Sequence, residues 1–120
     1  YSLEATPVVN FNITPVATSI PVGSNLAFNF NGTPNAGWEL YASLDGGPSA
    51  LEGYGVIGAG TGTIAYFTGG DLDPAGQGSF VFGIPNDAQL VGLKIWWVGG
   101  AVAGASLPQI SNTVVTEFTP

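Results

Sequence analysis

The side chains in this sequence that can carry out chemistry are few, and most of them are carboxylates. The chain of 120 residues has eight Asp and Glu, a single basic residue, Lys94, and no His or Cys. This composition excludes the usual nucleophilic triads, a thiolate nucleophile and ordinary zinc or copper sites. Carboxylates can still act as acid and base in glycoside hydrolysis, which needs two of them across a cleft, or bind hard cations. No such acid pair stands out, and we predict that the protein is not an enzyme.

Asp71 and Asp73 are the candidate metal ligands. They lie two positions apart within the glycine-rich segment 70–76. Calcium loops begin in this way, but their full pattern adds a third oxygen ligand and a later Glu, which this segment does not have. Asp-Pro-Ala-Gly also forms a turn without any ion. Calcium binding and simple turn formation are therefore both open for these two residues, and no other cofactor is expected.

Aromatic residues offer a second kind of site, a platform on which sugar rings stack. The candidates are Trp38, Trp96, Trp97, Tyr41, Tyr54 and Tyr66. Trp38 and Trp97 share the parity of their apolar neighbours, which favours core positions. Trp96 shares the opposite parity with Lys94 and is predicted to face outward. An outward Trp typically marks a contact surface, either for a glycan or for another subunit.

The most regular element available to position such sites is residues 1–14. One parity carries Leu3, Ala5, Pro7, Val9, Phe11 and Ile13, and only Val8 breaks the polar character of the other parity. This alternation predicts a strand with one apolar face, which ends at Pro15. The strand is expected either at the edge of its own domain or donated to a neighbouring subunit, as in pilus-type fibres.

Donation would place Leu3, Ala5, Val9, Phe11 and Ile13 in a subunit interface, together with Trp96. Burying the four larger aliphatic and aromatic side chains of the strand stabilises the contact by about 6–12 kcal/mol. Association costs about 4–15 kcal/mol, so further subunit contacts are needed. Pro7 cannot donate a hydrogen bond to a sheet, and we expect it to divide the segment into two pieces that pair differently.

Two sequons, which begin at Asn12 and Asn31, are candidate glycosylation sites. Asn12 is predicted to face away from the apolar side of its strand, and Asn31 is predicted to lie at a turn. Chance occurrence in a chain rich in Asn and Thr is the alternative explanation.

The rest of the chain consists of short alternating segments separated by turn residues, without any long apolar run. This pattern predicts an all-β fold, an antiparallel Ig-like or Greek-key β-sandwich of about seven or eight strands, with a closed barrel as the alternative. The strands on either side of residues 31–37 are expected to pair antiparallel. A capped helical turn is expected within residues 85–90, with Asn86 or Asp87 at its N-cap. We divide the chain into an N-terminal strand, residues 1–15, and a sandwich domain, residues 16–120.

The charge and hydropathy of the chain limit the binding partners and the cellular location that we expect for the protein. The net charge of -7 excludes recognition of a nucleic-acid backbone and disfavours an anionic membrane surface. No run approaches the roughly 20 apolar residues of a membrane helix. Only 8% of residues are charged, and such surfaces pack against one another readily. We expect an extracellular or cell-surface protein, secreted and freed of its signal.

From residue 20 to residue 118 the order of motifs resembles a β-sandwich domain found at the C-terminal ends of large secreted proteins of planctomycetes and some other bacteria. The motifs that carry the resemblance are Ile20–Gly23, Pro34–Ala36, Asp73–Gly76 and Ile84–Asp87. The resemblance implies a fold and an accessory or structural module, without established catalytic residues. Residues 1–19 lie outside it.

These observations favour a non-enzymatic extracellular structural protein. We expect a subunit that assembles with itself into a surface filament or fibril by strand donation. The alternative is a carbohydrate-binding or adhesive β-sandwich module of a larger secreted protein, with glycans as partners.

Overall fold

A computed structural model describes residues 10–51, 55–59, 64–104 and 108–120, and nearly all regular structure among them is β-strand. The strands are β1 Asn12–Pro15, β2 Ser19–Pro21, β3 Asn25–Asn31, β4 Gly37–Ser43, β5 Gly46–Leu51, β6 Gly55–Ala59, β7 Ala65–Asp71, β8 Gln77–Gly83, β9 Lys94–Val102, β10 Gln109–Ile110 and β11 Val114–Thr119. A short 3₁₀ turn at Ala88–Leu90 is capped by Asp87, whose Oδ1 accepts the Gln89 N–H at 2.9 Å, which confirms the predicted helical turn. No helix in the described ranges has the length and apolar character needed to cross a membrane.

Two main sheets form the sandwich. One has the order β1-β3-β8, the other has the order β2-β11-β9-β4-β7 with β10 paired to β9, and β5 and β6 form a separate hairpin. The predicted all-β sandwich is confirmed. More strands are present than expected because several are only two to four residues long. One pairing departs from the antiparallel pattern, since β2 runs parallel to β11.

The predicted pairing of β3 with β4 is wrong, because the two strands lie in opposite sheets. The segment between them bonds to the β7–β8 connection instead: Gly32 N–H donates to Gly76 O at 2.9 Å, and Asn35 N–H donates to Asp73 O at 3.0 Å. The chain therefore crosses from one sheet to the other. The apolar faces of β3 and β4 meet across the core, where the Phe30 and Trp38 ring centroids are 4.3 Å apart.

The core lies between the two main sheets and is rich in aromatic rings. Trp38 and Trp97 are both buried, as their parity predicts. The Trp97 ring packs edge-on against Phe28 at 5.1 Å, and its Nε1–H donates to Thr116 Oγ1 at 2.9 Å. This hydrogen bond satisfies the one polar atom of the indole in an otherwise apolar environment.

Candidate assembly site

The described part of the N-terminal segment fills a groove at the edge of the three-stranded sheet. Residues Asn12 to Pro15 pair antiparallel with β3 of the same chain. Phe11 and Ile13 are each only 1% exposed and belong to the core. Val16, the first residue after β1, is 68% exposed. The predicted apolar face of residues 10–14 is therefore the face that enters the sandwich.

The side chain of Asn112 holds the other edge of the segment. Its Oδ1 accepts the Ile13 N–H at 2.9 Å, and its Nδ2 donates to the Ile13 carbonyl oxygen at 2.9 Å. A single amide side chain thus takes the place of a neighbouring strand. Asn112 thereby satisfies both main-chain polar groups of Ile13, while β3 pairs with the segment on its other side.

Glycines provide the space in which Phe11 lies. A Cβ atom placed on Gly99 would lie 2.6 Å from Phe11 Cε2, and one placed on Gly32 would lie 3.2 Å from Phe11 Cδ1. Sequence reasoning missed Gly99 and Asn112 as groove residues. A glycine inside a strand does signal close approach of another group, but it does not identify that group.

The remaining predicted interface residues divide into two sets. Leu3, Ala5 and Val9 lie outside the described residues. Trp96 lies on the outer face of its sheet, as expected, but it is half-buried there by the same chain. It packs in a small outer cluster around Val98, and a Cβ atom on Gly46 would lie 3.1 Å from its Nε1. Its role in a subunit interface stays a prediction.

The same outer face carries a pocket of about 540 Å³. Its largely apolar wall is formed by Tyr41, Ile64, Val98, Val102, Pro108 and Ile110. Glu39 also lines it, and its carboxylate accepts a hydrogen bond from the Tyr41 hydroxyl. The Tyr41 and Tyr66 rings meet edge to face at 5.9 Å, and Tyr66 is 60% exposed. Of the predicted sugar-stacking residues, Tyr41 and Tyr66 therefore come together, whereas Tyr54 lies outside the described residues.

Asp71 and Asp73 do not converge on a cation site with a third acidic ligand. One carboxylate oxygen of Asp73 accepts the N–H groups of Ala75 at 2.9 Å and Gln77 at 2.8 Å. The described residues contain no group of three or more His, Cys, Asp or Glu placed to hold a metal ion, and no cofactor is indicated by them. These two hydrogen bonds show that the Asp73 side chain stabilises the turn.

The two sequon asparagines are neighbours across β1 and β3. Asn12 and Asn31 are Cα partners, and both side chains are exposed. Asn31 is the last residue of β3 rather than part of a turn. Sugars on both residues would therefore leave the sheet side by side. Their glycosylation stays a prediction.

Comparisons with known proteins give no family. No family model matches the sequence, and no curated protein matches it. Among solved structures, the sporulation control protein Spo0M of Bacillus subtilis is similar over 95% of this chain, with 8% sequence identity and a TM-score of 0.48. This chain spans 50% of the length of that protein.

Proposed function

We propose that this protein is a non-enzymatic, extracellular structural subunit that assembles with itself into a filament by donating its N-terminal strand, residues 1–14. The observation that carries the proposal is the fit of Phe11 and Ile13. Both side chains are almost fully buried in a groove whose other walls come from residues far along the chain, including Gly99 and Asn112.

Exchange between copies preserves every contact of this groove. A neighbouring copy can offer the same Phe11, the same Ile13 and the same main-chain hydrogen bonds, so the enthalpy of the seated segment is the same from either source. The connection that must swing outward is short, residues 16–18, and the Val16 side chain is exposed. Short connections of this kind favour exchange of a terminal element between copies. When the exchange is open rather than reciprocal, it continues from copy to copy and produces a filament.

The surface composition supports self-association as well. Lys94 is the single basic residue, and it lies 3.7 Å from Glu117 in an exposed ion pair. Since only 8% of the residues are charged, contacts between copies require the desolvation of few charges, which favours close packing of subunits.

A pair of cysteines tests the proposal directly in a chain that has no native Cys. Thr14 and Asn29 are exposed Cα partners across β1 and β3, and opposed residues of antiparallel strands lie within reach of a disulfide. In Thr14→Cys/Asn29→Cys, oxidation of the native material is expected to give a ladder of covalent oligomers in non-reducing denaturing electrophoresis. A reductant is expected to collapse the ladder.

The matched control uses the other neighbour of the same strand. Asn29 and Ser79 are Cα partners across β3 and β8, which donation does not separate. Asn29→Cys/Ser79→Cys is therefore expected to give only an intrachain bond. The proposal is overturned if Thr14→Cys/Asn29→Cys behaves in the same way, or if negative-stain microscopy shows only monomers of the unmodified protein.

The outer-face pocket favours a second candidate, a carbohydrate-binding module. Tyr41 lines the pocket, Tyr66 packs against Tyr41 from outside the lining, and the Glu39 carboxylate can accept hydrogen bonds from sugar hydroxyls beside them. Few polar groups in an apolar pocket are typical of small-ligand sites. A glycan array tests this function with Tyr66→Ala and, as a control on the same outer face but outside the pocket lining, Val115→Ala. A signal lost only in Tyr66→Ala supports it, and no signal for the unmodified protein rejects it.

A further inference from the structure

Among the strands that the structure describes, β8 is an edge strand without the usual protection. It ends the three-stranded sheet, and its register with β3 runs without a bulge from Gln77 to Gly83. It contains no charged residue and no proline. Natural sheets normally protect an edge with charges, prolines or bulges, because its free N–H and C=O groups can pair with another chain.

The other described edge strands of the two main sheets do carry such features, apart from β10, which is only two residues long and offers little main chain for pairing. β1 ends with Pro15 and β2 ends with Pro21. β7 carries Asp71, and its pairing with β4 contains a register shift between Leu40 and Tyr41. Among the described edges of the main sheets, β8 is thus the one suited to accept a strand.

Three phenylalanines form an apolar ledge beside this edge. Phe67 lies edge-on to Phe80 at 5.8 Å and to Phe82 at 5.1 Å, where the edges of the two sheets meet. Phe82 is 39% exposed, and the neighbouring Val81 is 60% exposed on the opposite face. We call Phe67, Phe80 and Phe82 the phenylalanine ledge. An added strand with apolar side chains on one face would cover it.

We infer that residues 1–6 of the donated segment add to β8 as an antiparallel strand, on the same acceptor subunit whose groove holds residues 10–15. This inference rests on the proposed function and names a second contact for it. Leu3 and Ala5 share one parity and cover the phenylalanine ledge, while Glu4 lies on the opposite face. Pro7 ends the pairing because it has no N–H to donate.

The position and length of the chain allow this path. Asn12 is level with Asn31 and therefore with Gln77, where β8 begins. The path from β1 across β3 to the outside of β8 covers about 14 Å, at three strand spacings. Residues 6 to 11 can span about 17 Å when extended. Residues 1–6 then run back along β8 in the direction opposite to that strand.

Charge reversal tests the contact. Val81→Glu places a carboxylate on the face of β8 that Glu4 shares, and like charges on neighbouring strands repel. We expect the critical concentration for assembly to rise about fivefold, which corresponds to about 1 kcal/mol for one such pair. Glu4→Lys combined with Val81→Glu is expected to restore assembly. The control Val115→Glu, on β11 of the other sheet, is expected to leave it unchanged. Equal effects of Val81→Glu and Val115→Glu, or no rescue, overturn the inference.

Cysteine pairs separate failure of this contact from failure of strand donation. Glu4→Cys is combined in turn with Ser79→Cys and with Val81→Cys, and the material is oxidised. An interchain disulfide supports both the β8 contact and donation. An intrachain disulfide places residues 1–6 on β8 of their own chain, so the contact holds while donation fails. No disulfide in either pair overturns the β8 contact, whatever the Thr14→Cys/Asn29→Cys pair shows.

Discussion

Replacement of Gly99 by Ala tests whether the N-terminal segment occupies its groove. A Cβ atom on Gly99 would lie 2.6 Å from Phe11 Cε2, 3.2 Å from the main-chain oxygen of Glu39 and 3.4 Å from Ile13 Cγ2. The first distance is far inside van der Waals contact. The new methyl group cannot move away from the ring, because the main-chain oxygen of Glu39 lies close to it on another side. The Phe11 ring therefore has to move.

The expected cost follows from overpacking. Forcing an extra methyl group into a packed core costs about 1–3 kcal/mol, while loss of glycine freedom in the unfolded chain returns about 0.4–1 kcal/mol. Gly100→Ala provides the matched control on the same strand, because its Cβ atom would meet nothing closer than 3.8 Å. Since both variants share the unfolded-state gain, we expect Gly99→Ala to be less stable than Gly100→Ala by about 1–3 kcal/mol.

Urea unfolding followed by tryptophan fluorescence measures this difference, with buried Trp97 as a reporter. A double-mutant cycle then assigns the clash to its partner. Phe11→Ala alone is expected to cost about 3–5 kcal/mol. In that background Gly99→Ala should cost nothing more, which gives a coupling energy of about 1–3 kcal/mol. Equal stabilities of Gly99→Ala and Gly100→Ala, or additive effects in the cycle, would refute the placement of Phe11.

Three further predictions concern individual hydrogen bonds. Asn112→Ala removes both bonds to the Ile13 main chain and should lower the free energy of unfolding by about 1–3 kcal/mol in urea. Thr116→Val leaves the buried Trp97 Nε1–H without its acceptor and should cost about 1–3 kcal/mol, with a change in tryptophan emission. Asp73→Ala removes two hydrogen bonds in an exposed turn and should cost about 0.5–1.5 kcal/mol. Added calcium should leave the melting temperature of the unmodified protein unchanged.

Each of these variants has a control nearby. Asn29→Ala removes an exposed amide on β3, Thr119→Val alters a half-buried threonine at the end of β11, and Asp71→Ala removes an exposed carboxylate. All three are expected to stay within about 0.5 kcal/mol of the parent. A control as unstable as its test variant would contradict the assigned hydrogen bond. A rise in melting temperature with calcium that Asp71→Ala abolishes would favour the metal site instead.

Much of the fold could be predicted because alternation is a local property of the chain. The parity of Phe28 and Phe30 correctly indicates their buried face, and the parity of Trp96 and Trp97 correctly separates the outer from the inner ring. The pairing of strands could not be read in the same way. β3 and β4 have equally good apolar faces, and such faces are compatible with side-by-side pairing in one sheet and with packing across the core.

The sequence by itself determined that the chain is built from β-strands, that it supplies no His or Cys side chain, and that a strand formed by residues 1–14 would have one apolar face. Composition and period-two alternation need no knowledge of distant residues. The tertiary structure decided what that face meets. Ile13 and Asn112 are 99 positions apart in the chain, and Gly99 becomes part of a groove only when Phe11 lies over it. Such a site depends on contacts between distant segments, which local sequence patterns do not encode.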